Sequence, residues 1–115
     1  MNIQIITQKI SKAILAAIAK EQFGDFVKAV IDVELGVMAI GGELHADEEA
    51  ALLEQGSRQR DLWGINLYPD MSSEEWIEFH SMINVLPSQG NRARNVESPD
   101  TRKKIRALVH ALFSE

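Results

Sequence analysis

The chain has no cysteine, which excludes disulfides, thiolate zinc sites and thiol nucleophiles together. No apolar run reaches the roughly 18 residues that would span a bilayer. The opening MNIQIITQKISKAILAAIAK lacks a basic segment ahead of its apolar stretch and splits into a strand-like and a helix-like half. It does not read as a signal peptide, so the expected home is the cytoplasm, with no membrane partner. Basic residues are in the minority, 12 against 17 acids, for a net charge of −5. That balance argues against non-specific nucleic-acid binding, which needs an excess of Lys and Arg to displace counterions. No phosphate-loop, HEXXH or triad motif is present, and neither an internal repeat nor a low-complexity tract interrupts the chain.

What remains is ordinary for a globular protein: 45% hydrophobic and 25% charged residues in a length suited to one domain, 1–115. The core is too small to suggest a buried cofactor, and none is expected. Ile3, Ile5 and Ile6 predict a short strand. Ser11 predicts a helix N-cap, followed by Ile14, Leu15, Ile18 and Ala19 at helical spacing, with a stop near Gly24. Val27, Ala29, Ile31 and Val33 alternate with Lys28, Val30, Asp32 and Glu34, and VMAIGGEL follows a turn at Gly36; this is a hairpin. Gly41 and Gly42 suggest a bulge or a close backbone approach at its end. Asp47 is the expected cap of a second helix, with Gly56 closing it. LWGINLY and WIEFHSMINV predict a second strand pair joined by PDMSSEE. Ser98-Pro99-Asp100 then starts a last helix with Ile105, Leu108, Val109, Leu112 and Phe113 on one face.

The order β-α-β-β-α-β-β-α predicts an α+β fold: a mainly antiparallel sheet of four to five strands with helices packed on one face. Read as a strand, 76–85 places Ile77, Phe79, Ser81, Ile83 and Val85 on one face and Trp76, Glu78, His80, Met82 and Asn84 on the other. The second face also carries Tyr68 and Asn66, a mixture that suggests cover by a partner chain, a loop or a ligand.

The strings GGELHADEEAALLEQGSRQRDLWGINLYP and WIEFHSMINVLPSQGNRARNVE, with the opening IQIIT-x-x-IS, resemble a small family of uncharacterised prokaryotic proteins defined by a domain of unknown function. The resemblance covers nearly the whole chain and implies no particular chemistry.

Four constellations carry chemistry. His45, Asp47, Glu48 and Glu49 are metal-compatible, but helix capping and dipole compensation explain the acids, and no metal is expected. His80 and Glu78 form a possible acid/base pair, or a paired surface histidine. The loop holding Ser88, Gln89, Asn91, Arg92 and Arg94 is the preferred ligand site, because guanidinium forks fit carboxylate or phosphate. Its alternative is a structural loop tied to the acidic 43–54 segment. Arg102, Lys103, Lys104 and Arg106 form a basic patch on the last helix, which a solvated helix face also explains. Two functions follow. The first is a small binding module that covers Trp76, Tyr68 and Met82 by forming a homo-oligomer. The second is a small enzyme acting on an anionic substrate through the 88–95 loop, with His80 and Glu78 as its acid/base groups.

Overall fold

A computed structural model describes residues 3–72 and 75–114. Ser73 and Glu74, in the linker predicted before the last strand, lie outside the described residues.

The strands β1 (Gln4–Ile6), β3 (Val27–Asp32), β4 (Val37–Ile40), β5 (Leu62–Leu67) and β6 (Ile77–Glu78) form one sheet in the order β1-β4-β3-β5-β6, and every pairing is antiparallel. The α+β class and the five-stranded sheet match the expectation from sequence. A separate parallel pair joins β2 (Ile10–Ser11) to β7 (Phe113–Ser114). No sequence pattern announces that pair. The helices are α1 (Lys12–Glu21), α2 (His45–Glu54) and α3 (Pro99–Leu112).

Local chemistry sets the boundaries. The Ser11 hydroxyl accepts from Ile14 N–H at the start of α1, and that of Ser98 accepts from Thr101 N–H at the start of α3, with Pro99 at the first helical position. α2 departs from expectation: its N-cap is Leu44, which offers no capping side chain, and Asp47 lies inside the first turn. Its other end follows the predicted glycine stop. Gly56 N–H donates to the Leu53 carbonyl and Ser57 N–H to that of Leu52, with Gly56 at φ +104°.

The alternation of β3 distributes two cores. Val27, Ala29 and Ile31 join Ile6, Met38, Ile40, Trp63, Ile65 and Leu67 under α1 and α3, which contribute Leu15, Ala19, Ile105, Val109 and Leu112. Val30 faces the other way, with Ala39 and Leu62, and meets Leu52 of α2. The helices therefore cover both faces of the sheet, where a single covered face was expected. The periodicity of α2 marks its buried side but carries no information about which sheet face that side meets.

The predicted strand over 76–85 differs most. Only Ile77–Glu78 pairs with β5; residues 82–84 form a 3-10 turn whose entry is capped by the Ser81 hydroxyl. Trp76 is not on the mixed face. It is 1% exposed and packs edge-on against Phe113 in the α1–α3 core, with Lys12 over its ring. Of the residues that suggested self-association, Trp76 is thus buried inside the chain, Tyr68 is half-buried, and Met82, at 63% exposure, stays outside.

Candidate functional site

On the α2 side of the sheet, one polar row crosses three strands. Lys28 of β3 is registered opposite Asn66 of β5, and Asn66 opposite Glu78 of β6. Directly paired residues share a sheet face, so all three project toward α2. Asn66 is buried, and its Nδ2 donates to Glu78 Oε1 at 2.8 Å and to the His80 carbonyl at 3.3 Å. Glu78 also accepts from the Tyr68 hydroxyl at 3.3 Å.

Two further segments close over this row. The first residue of α2, His45, sets its Nε2 2.8 Å from the Ile65 carbonyl. After β6 the chain crosses the same face through His80, Ser81, Met82 and Ile83 and returns at Arg94. The backbone at Arg94 is fixed, because its carbonyl accepts from Ser81 N–H and from Asn84 Nδ2. Its side chain is exposed. The result is a cleft of about 320 Å³ in which Lys28, His45, Asn66, His80 and Arg94 meet, with Phe26, Leu44, Ala46, Met82 and Ile83 completing the wall.

The electrostatics are one-sided. None of the described residues lining the cleft is a carboxylate, although the chain as a whole is acidic. Burial holds the His45 imidazole below its ordinary value; the charges of Lys28 and His80 add to this, while the Ile65 carbonyl and the nearby Asn66 amide oppose it. A ring nitrogen facing a carbonyl must be the donor, so neutral His45 carries its proton on Nε2 and a lone pair on Nδ1. One helical turn on, Glu48 is fully buried, and burial pushes its carboxyl up to about 9. Asp47 adds to that rise, while Gly42 N–H and Lys28 oppose it. Glu48 Oε2 accepts from Gly42 N–H at 2.9 Å, and Oε1 has no partner among the described residues. At neutral pH Glu48 is a carboxylic acid, and it adds no negative charge behind the cleft.

The residues singled out in the sequence separate. His80 and Arg94 line the cleft together with His45. Glu78 lies beside it, but its hydrogen bonds go to Asn66 and Tyr68, so it anchors the floor. Asn91 is structural. Its Nδ2 donates to the carbonyls of Asn84, Ala93 and Asn95, which uses up its donors, and its Oδ1 accepts from Glu97 N–H. Gln89 borders a different cavity, with Arg60, Trp63 and Thr101. Ser88 and Arg92 are exposed; the Arg92 backbone is held by Glu97. An acid that ties the loop is Glu97, two residues past its end, which accepts from the backbone N–H groups of Arg92 and Ala93. The basic residues of α3 lie across the sheet from the cleft, and Arg106 rests over the Phe79 ring. Among the described residues, no three of His, Asp and Glu gather as a metal site.

Lys28 and Asn66 carry no ligand motif in the sequence. Their signal was the alternation that placed them off the main core face. Opposite charges or amides at outward strand positions usually face water, and only the cover from α2 and residues 80–83 makes these inward.

The chain matches the family described as "Protein of unknown function (DUF5674)" over residues 4–112, and it belongs to that family. No curated protein and no solved structure matches it. No helix among the described residues is long and apolar enough to cross a membrane.

Proposed function

We propose, since family membership assigns no chemistry, that this protein recognises a small anion-bearing molecule in the cleft between α2 and residues 80–94. The observation that carries this reading is the convergence of Lys28, His45, His80 and Arg94 from four separate segments on a cleft whose described lining holds no acid. Lys28 and Arg94 carry the positive charge, no carboxylate lies in the described lining to neutralise it there, and an anion is drawn to it. Arg94 is the planar fork for a phosphate or carboxylate, and Lys28 the point charge beside it. The test is a titration with inorganic phosphate and with acetate followed by backbone NMR. Shifts at Lys28, His45, His80 and Arg94, lost in Arg94→Ala and Lys28→Ala, support the reading. Flat shifts up to tens of millimolar ligand would refute it.

A second reading, an enzyme acting on that anion, is favoured by the lone pair on His45 Nδ1. A neutral imidazole of fixed tautomer is suited to accept a proton from a bound substrate or water. The variant that separates the readings is His45→Gln, which keeps a polar side chain: under the enzymatic reading, turnover of an anionic substrate disappears while anion binding, held by the charges of Lys28 and Arg94, persists.

A further inference from the structure

We infer that the ligand carries an apolar arm, an acyl or aryl group attached to its anionic head, lying between Leu44 and Met82; this rests on the anion-binding reading above. Leu44 and Met82 are 55% and 63% exposed, and both border the cleft, one from the start of α2 and the other from the turn after His80. The fold explains neither residue. Leu44 occupies the N-cap of α2, where a Ser, Thr, Asp or Asn would accept a backbone N–H, and it forms no such bond. It is not in either core cluster, so the lost cap is not offset by burial. A residue that breaks a local rule without a compensating contact points to a role outside folding. Methionine, unbranched and flexible, suits a surface that adapts to an apolar group. Phe26, Ala46 and Ile83 continue the apolar wall between the cations. The volume, about 320 Å³, is at the small end of organic-ligand pockets and far larger than a bare phosphate or acetate requires.

The experiment compares two probes with the same head, inorganic phosphate and phenyl phosphate, by calorimetry on the full chain. Phenyl phosphate should bind about tenfold more tightly, the return from roughly 55 Å² of apolar surface removed from water. Leu44→Ser and Met82→Ser should remove that increment and leave inorganic phosphate binding unchanged. Leu44→Ser also restores a capping hydroxyl, so loss of folding does not confound it. Equal affinity for both probes, or an increment that survives both substitutions, overturns the apolar arm while the anion site stands. Failure of both probes overturns the anion site itself. A dimer that dissociates in Leu44→Ser or Met82→Ser assigns these residues to a second copy, and overturns the arm. So does binding to phosphatidic acid vesicles without binding to phenyl phosphate.

Discussion

Asn84 pairs with Gly64 through both ends of its side-chain amide. Gly64 N–H donates to Asn84 Oδ1 at 2.8 Å, and Asn84 Nδ2 donates to the Gly64 carbonyl at 2.9 Å. A side chain thus replaces the strand neighbour that β5 lacks beyond β6. The same Nδ2 reaches the Arg94 carbonyl at 2.9 Å, so one buried amide links the sheet to the arginine of the cleft.

Asn84→Ala should therefore lower both stability and anion affinity. It removes three hydrogen bonds, two of them buried, and leaves Gly64 N–H and C=O unpaired, at a cost of about 2–4 kcal/mol. Urea denaturation measures the first effect, and phosphate titration under folding conditions the second. Wild-type stability would show that the amide is dispensable.

Gly64 admits no side chain. A Cβ there would lie 2.5 Å from Ser81 Cβ and 2.6 Å from its Oγ. Gly64→Ala should destabilise by about 1–3 kcal/mol, as overpacking of a tight core does. Adding Ser81→Gly removes both clashing atoms and should recover part of the loss. A double variant no better than the single one would place the strain elsewhere.

Glu48 makes stability depend on pH. Its carboxyl titrates near 9 when folded and at the ordinary 4.5 when unfolded, so the folded state retains a proton that the unfolded chain gives up. That contribution is complete below about 4.5 and is lost as pH rises through about 9. Between pH 7 and 9 the melting temperature of the wild-type protein should fall, and Glu48→Gln should flatten that fall. Parallel pH profiles for the two proteins would contradict the neutral carboxyl.

His45 should behave in the opposite sense. Its folded value lies below 6.5, so the folded state binds this proton less readily than the unfolded chain, and stability gains as pH rises through that range. Histidine ¹⁵N shifts should report Nε2–H as the neutral tautomer and a midpoint under 6.5. An Nδ1–H tautomer would remove the proposed base.

Two loop variants distinguish ligand contact from scaffolding. Arg94→Ala should change stability by no more than about 0.5 kcal/mol, as exposed substitutions do, while removing anion binding. Asn91→Ala should cost about 2–4 kcal/mol, because four hydrogen bonds, one buried and three partly buried, converge on its amide. Reversed effects would return the ligand role to the loop tip.

Elements governed by neighbours in sequence were legible before the structure. Ser11 and Ser98-Pro99 announce their helices because capping involves residues only three apart, and the β3–β4 hairpin follows from alternation around Gly36. The 76–85 segment departs from the strand that its period-2 pattern fits. What ends the strand is distant: the Asn84 amide takes the bonds at Gly64 that a continuing backbone would have made. The same holds for the cleft. His80 and Arg94 were readable as chemistry, but their meeting with His45 and Lys28 depends on α2 crossing the face opposite α1 and α3. No local spacing encodes that choice.

The parallel seam between Ile10–Ser11 and Phe113–Ser114 bears on the order of events during synthesis. About 100 residues separate its two halves. At ribosomal rates, roughly 5–20 residues per second, Ser11 waits on the order of 5–20 seconds for its partner to be made. Until then the start of α1 has no strand beside it, and α3 has not arrived to cover Trp63, Ile65 and Trp76. Translation speed, more than the intrinsic folding rate, then sets how long that apolar surface stays open to aggregation.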